Sequence, residues 1–199
     1  MHTEKATAVS TQDAGLVIGP GRGAHEVAEA HGRFVCQCFD KDGNLKWEDT
    51  IENVVCTEGK NVALDAFLAG SSYTVVGPYM GLISSTSYTA VAAGDTAAQI
   101  NGTNGWKEAG NANTPTYTSP RKTCAWSSAS SGSKALSAAL NFPFTGSGTV
   151  KGCFIIFGTG ALSTIDNTAG KLWSAGLFSG GDKTVANGDQ LNVSYTASL

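Results

Sequence analysis

The sequence predicts an all-β chain: a jelly-roll-like β-sandwich of about eight strands, with one short helix and an extended N-terminal arm. Three observations predict it. Apolar and polar residues alternate around a turn in residues 33–52, short apolar runs follow between clusters of Gly, Pro, Asn and Ser, and only residues 57–70 carry helix boundary signals. We therefore assign residues 1–32 to the arm and residues 33–199 to the sandwich domain.

The predicted arm shows no sustained period of 2 or 3.6 residues. Its short apolar patch, Leu16 to Ile18, is followed by the glycine-rich residues 19–23, which match neither a dinucleotide nor a phosphate motif. The stretch HEVAEAH begins at His25 and finishes at His31. These two histidines are six residues apart, whereas the zinc-binding helix motif needs a spacing of four residues. We expect an arm that orders by lying across a partner.

A hairpin is predicted at residues 33–52. Phe34, Cys36 and Cys38 share one strand face, and the second strand alternates in the same way. Residues 40–44 (DKDGN) resemble the start of a calcium loop, but glycine falls at the fourth place instead of the sixth and Ile51 occupies the twelfth. The segment is therefore interpreted as the hairpin turn.

Thr57 is predicted to cap a helix over residues 58–69, which Gly70 ends. Six strand-like runs follow: 79–84, 116–126, 135–144, 150–157, 171–178 and 190–197. In the last run apolar and polar residues alternate, so one face of the strand is expected to be exposed to solvent. The run 150–157 is apolar on both faces, which indicates either a central strand covered by loops or the helix, or a subunit contact.

The sequence Val-Ala-x-Gly-Asp occurs twice, at residues 91–95 and 185–189, within flanks that do not match. We interpret it as one turn chemistry used twice, in which glycine supplies a positive φ and aspartate a local hydrogen bond.

The charge of the chain limits the kinds of partner that it can bind. The formal net charge is −3 and the pI about 5.5, so no positive field favours nucleic acid. No apolar run approaches the ~20 residues of a membrane helix. Most acidic residues lie within residues 1–70, which leaves an almost uncharged remainder rich in Ser, Thr, Asn, Ala and Gly. Such a surface loses its water at little cost, and this favours assembly with other protein.

The five cysteines are an odd number in a chain whose N-terminus lacks a signal-peptide pattern. We expect buried, reduced thiols. The cysteines are Cys36, Cys38, Cys56, Cys124 and Cys153.

The sequence offers few candidate residues for catalysis. We predict that the protein is not an enzyme and that it has no catalytic, cofactor-binding or metal-binding residues. All three histidines lie in the predicted arm. A serine or cysteine nucleophile in the sandwich would therefore need a general base from the arm. A glycan hydrolase would need two of the acids Asp95, Glu108, Asp166, Asp182 and Asp189. The four tryptophans are expected to pack in the core, and stacking against a sugar is the alternative. They are Trp47, Trp106, Trp126 and Trp173.

The order of elements resembles the head decoration (cement) proteins of tailed bacteriophages. The features that carry it are the hairpin FVCQCFDKDGNLKWEDTIENVV, the segment EGKNVALDAFLAG, the strand YMGLISS, the pair Gly105-Trp106, the strand VKGCFIIF and the closing LWSAGLFSGGDKTVANGDQLNVSYT. Together they cover about residues 33–197. The N-terminal arm is a departure from this pattern.

The resemblance implies a β-sandwich that is made in the host cytoplasm and lies on the virion, bound to the outer surface of the capsid. Its implied partners are the major capsid protein and further copies of itself, as a dimer or trimer, without nucleic acid or membrane. It carries over no catalytic residue. The alternative is a tail-associated adhesin or receptor-binding module that recognises cell-surface glycans; a glycan hydrolase is a third hypothesis.

Overall fold

Two antiparallel sheets packed face to face form the protein, which confirms the predicted all-β sandwich with one α-helix. The computed structural model describes residues 30–68, 76–86, 90–102 and 105–198. Their elements in chain order are β1 (His31–Phe39), β2 (Leu45–Glu52), β3 (Val54–Val55), α1 (Thr57–Leu68), β4 (Tyr79–Ser84), β5 (Lys122–Thr123), β6 (Ser133–Ala135), β7 (Leu140–Pro143), β8 (Gly148–Phe157), β9 (Lys171–Leu177), β10 (Lys183–Val185) and β11 (Gln190–Ser198).

The first sheet has the order β2-β1-β11, and both β6 and β7 pair with the free side of β11. In this sheet the first and last strands of the domain are neighbours, with Phe34 opposite Tyr195. The second sheet has the order β3-β9-β8-β4-β5, and β10 pairs with β8. The predicted jelly-roll connection stays a prediction.

The main core lies between the two sheets. The first sheet contributes Phe34, Cys36 and Leu191, and the second contributes Met80 and Ile155. All five cysteines are free and buried, as the sequence predicts. The Sγ atoms of Cys36 and Cys153 lie 4.0 Å apart across the sandwich. Burial raises the pKa of the Cys38, Cys56 and Cys124 thiols to about 12.

Strand β8 is the central strand that its two apolar faces predict, because β4 and β9 pair with its two sides. Cys153 and Ile155 face the main core, whereas Phe154 and Ile156 belong to a second buried cluster behind the sheet. Trp106 completes that cluster, with no exposed surface. Loops that contribute Ile100 and Trp106 therefore cover this face of β8, which favours the first of the two interpretations.

The helix is present at Thr57–Leu68, and its main contacts are with β9. The Glu58 carboxylate accepts hydrogen bonds from the backbone N–H of Leu172 and from Lys171 Nζ, both at 2.9 Å. These bonds fix the first turn of α1 to the sheet. The predicted helix stop, Gly70, lies outside the described residues.

The hairpin turn also agrees with the prediction. Asp40 Oδ1 accepts hydrogen bonds from the N–H groups of Asp42 and Asn44, and Gly43 has a φ of +86°. These bonds use the oxygens that a calcium loop would turn toward its ion. Strand β1 begins at His31, so it includes the last two residues assigned to the arm.

Two predicted runs are less regular than expected. Within 116–126 only Lys122 and Thr123 form a strand, and 135–144 divides into β6 and β7. Pro120 interrupts the first run because proline has no N–H for a sheet ladder. The sequence also missed β3 and β10, which are only 2 and 3 residues long. The described chain therefore has more, and shorter, strands than the eight predicted.

Candidate functional surface

The five acids considered for catalysis are all engaged within the protein. Glu108 and Arg121 form a fully buried pair, with Nε to Oε1 at 2.7 Å and NH2 to Oε2 at 2.6 Å. The backbone N–H of Asp166 donates to the same Oε2 at 2.7 Å. Burial raises the pKa of the Glu108 carboxyl, and pairing with Arg121 opposes that shift. Both oxygens of Glu108 are thus occupied away from solvent.

The other four acids hold loops in place. Asp166 accepts from the side-chain amides of Asn101 and Asn111, at 2.7 and 3.1 Å. Asp95 accepts from Trp106 Nε1, whereas Asp182 pairs with Lys151 and Asp189 with Lys46. The carboxylates of the C-terminal region therefore serve as internal acceptors.

The exposed side chains of residues 109–148 are nearly uncharged, and we call this set of side chains the Ser/Ala face. This segment supplies β5, β6 and β7 and so runs along both sheets, beside β4 and β11. Throughout it Lys134 is the one exposed residue with a charge. Arg121 is buried, and Lys122 Nζ donates to the Thr118 carbonyl and lies 5.6 Å from the Tyr117 ring centroid. The rest of the face consists of small residues, such as Ser128, Ala129 and Ala138.

The tryptophans divide into two groups. Trp106 is entirely buried, as core packing predicts, whereas Trp47, Trp126 and Trp173 are partly buried against the main core. Trp126 and Trp173 line one opening between the sheets, with a volume of about 170 Å³. We call this opening the Trp groove. Its walls are Pro78, Trp126, Lys134, Ile155, Phe157, Trp173 and Ala197.

Two polar groups beside the Trp groove are already bonded within the protein. Trp173 Nε1 donates to the Tyr195 hydroxyl at 3.0 Å, and Lys134 Nζ donates to the Ser127 carbonyl at 3.0 Å. A sugar needs both stacking and hydrogen bonds to its hydroxyls. The groove therefore suits an apolar side chain better than a glycan.

Sequence reasoning singled out Trp126 and Trp173 but did not predict that they line one opening. They are 47 residues apart in the sequence and both line the groove, although β9 and β5 are not neighbours in the second sheet. Lys134 and Ala197 are Cα partners across β6 and β11. The pairing of short strand β6 with β11 had no strong signal in the sequence.

One further motif, the stretch HEVAEAH, lies only partly within the described residues. His25 lies outside them, so the stretch that ends at His31 has no structural description as a pair. Across the described ranges, no group of three or more His, Cys, Asp or Glu side chains is arranged to hold a metal ion. In the same part of the chain, no helix has the length and apolar character to cross a membrane.

Comparisons of the chain with protein-family models, with curated proteins and with solved structures found no match.

Proposed function

We propose that this chain is a structural protein of a phage virion, which decorates and stabilises the head by binding the outer surface of the major capsid lattice. The observation that carries the proposal is the Ser/Ala face, where Lys134 alone is both exposed and charged. The all-β sandwich agrees with the fold that the resemblance to cement proteins implies.

A face of this composition is suited to being covered by protein. Burying a charged side chain costs several kcal/mol unless it finds a partner, whereas small hydroxyl and methyl groups lose little. Interfaces are depleted of charge at their centres for this reason. The contact is expected to be modest at each site, and strength comes from repetition over the lattice and from further copies of the chain as a dimer or trimer.

The test is co-sedimentation with expanded, tailless heads that lack decoration, prepared from the phage that encodes the chain. The wild-type protein is expected to pellet with these heads to a fixed number of copies per shell. Ala129→Lys and Ala138→Lys place a charge at exposed positions of the Ser/Ala face. Each is expected to weaken binding by roughly tenfold, because the added charge must be desolvated without a partner.

The matched control is Ala66→Lys, since Ala66 is an exposed residue of α1 outside that face. It adds the same charge and is expected to leave binding unchanged. Equal weakening by all three variants would show a nonspecific charge effect, and no pelleting of the wild type would refute the proposal.

The same preparation distinguishes the adhesin alternative. An adhesin would bind host cells and not heads, and Trp126 and Trp173 are the partly buried aromatic residues that it would use for sugar stacking. The bonded polar atoms at the Trp groove weigh against that alternative. Binding to cells that free glycans displace would establish it instead.

A further inference from the structure

We propose that the Trp groove is a docking site for an apolar stretch of the same chain, Leu16-Val17-Ile18, so that each free copy covers its own groove. The inference is independent of capsid binding. It combines the chemistry of the groove, the place where the described chain begins, and the content of the N-terminal segment.

The groove is where the main core reaches the surface. Ile155 and Phe157 form its floor from the central strand, and Trp126 and Trp173 form its walls. An apolar cavity of ~150 Å³ accepts a group the size of benzene, so about 170 Å³ accommodates a Leu or Ile side chain. Trp173 Nε1 and Lys134 Nζ already donate hydrogen bonds within the protein. The favourable free energy of docking would therefore come from removing apolar surface of the groove from water.

The described chain begins beside this opening. Ala197 lines the groove and is the Cα partner of Gly32, one strand across in the first sheet. Adjacent strands lie about 4.8 Å apart, so residue 31 is within a few ångströms of the groove rim. The described chain therefore begins next to the partner of a residue that lines the groove.

The segment before β1 holds one concentrated apolar stretch, Leu16-Val17-Ile18. Residues 19–30 connect it to β1. A linker of that length spans at most about 43 Å when extended and about 20 Å as a random coil. The stretch can therefore reach the groove of its own copy without strain.

Effective concentration selects the same copy as the source. Tethering through residues 19–30 would present the stretch at roughly millimolar effective concentration, about a thousandfold above the concentration of other copies in a micromolar solution. Burial of one or two aliphatic side chains corresponds to a dissociation constant on the order of 0.1–1 mM, which is enough for a tethered stretch and too weak for a free one.

The experiment uses the full chain with Leu16→Ser and Ile18→Ser combined, and Val27→Ser as the control in the same segment. Acrylamide quenching of tryptophan fluorescence is expected to rise in the double variant and to stay at the wild-type value in the control. Trp126→Phe in the double-variant background is expected to remove most of the rise, which assigns it to the groove.

A synthetic peptide of residues 12–22 is the second probe. It is expected to bind the double variant, whose groove is open, and to bind the wild type severalfold to tenfold more weakly because the tethered stretch competes. The same peptide with both serine substitutions is expected not to bind. Unchanged quenching together with absence of peptide binding would overturn the proposal.

Light scattering distinguishes the source of the stretch. Quenching that rises in a monomer supports docking within one copy. A wild-type oligomer that the double substitution dissociates would show that a second copy supplies the stretch, and would overturn the assignment to the same copy.

Discussion

Glu108 and Arg121 are charged side chains without solvent exposure, so their pairing supports the loops around them. Besides Glu108, the guanidinium donates to the carbonyls of Leu162 and Asn167, at 3.1 and 2.7 Å, and lies over the Phe154 ring. These bonds satisfy both ions and fasten the β8–β9 connection to the β4 side of the second sheet. A buried pair of this kind specifies geometry more than it adds net stability.

Glu108→Gln is expected to lower the free energy of unfolding by about 3–5 kcal/mol, because it leaves the Arg121 charge buried without its counter-ion. Urea denaturation followed by tryptophan fluorescence measures it. The control is Glu52→Gln, which breaks the Arg33–Glu52 pair, whose side chains are 57% and 76% exposed. That change is expected to cost less than about 0.5 kcal/mol. Similar costs for both variants would show that burial of the pair is not what matters.

Asp49 connects β2 to the turn between β9 and β10. Its carboxylate accepts hydrogen bonds from Ser179 Oγ, Gly180 N–H and Lys183 Nζ, at 2.5, 2.9 and 2.7 Å. Burial alone would raise the pKa of this carboxyl, but the bonds from Lys183, Ser179 and the backbone outweigh burial and lower the pKa to about 2. The ionised form is therefore the one that stabilises the fold.

Asp49→Asn is expected to destabilise the protein by about 2 kcal/mol at pH 7, since the folded pKa lies about two units below the unfolded value of ~3.9. The lowered pKa makes this contribution complete above about pH 5 and loses it as the pH falls toward 2. Urea midpoints of variant and wild type should therefore converge below pH 3. A constant difference from pH 7 to pH 2 would contradict the assignment, and Asp42→Asn, in an exposed pair with Lys41, is the control.

At the scale of elements, the two Val-Ala-x-Gly-Asp turns share only part of their chemistry. In each, the aspartate accepts from the N–H of the alanine three residues earlier, at 2.9 Å for Asp95 and 2.7 Å for Asp189. This confirms the local hydrogen bond predicted for both. The predicted positive φ occurs at Gly188, with +91°, but not at Gly94. The prediction for Gly94 was therefore wrong.

Alanine substitution separates the two turns. Gly188→Ala is expected to cost about 1 kcal/mol, because a side chain strains the left-handed backbone and its Cβ would lie 3.2 Å from Lys41 Cβ. Gly94→Ala meets nothing within 4 Å and is expected to be neutral, or to stabilise by up to about 1 kcal/mol through the unfolded chain. Thermal unfolding of both variants measures the difference, and equal costs would refute it.

Elements with a strong local pattern were predictable and those set by tertiary contacts were not. Strands β1, β4 and β8 follow from alternation or continuous apolar runs, and each lies within two residues of its predicted bounds. The short β3, β6 and β10 exist because a longer neighbour offers a free edge, which local sequence does not encode. The Trp groove escaped prediction for the same reason, since β6 and β11 bring two of its walls together.

At the scale of the molecule, several charged side chains outside the Ser/Ala face form pairs within the described part of the chain. Lys151 pairs with Asp182 at 2.7 Å, and Lys171 with Glu58 at 2.9 Å. Apart from Lys134 on β6, the exposed charges of the first sheet, including Arg33, Glu48 and Glu52, lie on β1 and β2. Strands β1 and β2 therefore carry exposed charges, whereas the exposed side chains of residues 109–148 are almost free of charge.

This asymmetry predicts how binding to heads depends on salt, if the Ser/Ala face is the contact. Salt screens charged interfaces strongly, since the Debye length falls from about 10 Å at 0.1 M to about 3 Å at 1 M, but it has little to screen at an uncharged one. The affinity for undecorated heads is expected to change by less than about threefold between 0.1 and 1 M NaCl, and co-sedimentation across that series measures it. A steep loss of affinity at high salt would place the contact on the charged side, around β1 and β2, and would remove the Ser/Ala face from the proposal. The variant Ala129→Lys adds a charge to the Ser/Ala face, and its affinity for heads should depend on salt where that of the wild type does not. Salt screens the interaction of the new ammonium with charged groups on the lattice, whether that interaction is repulsive or attractive.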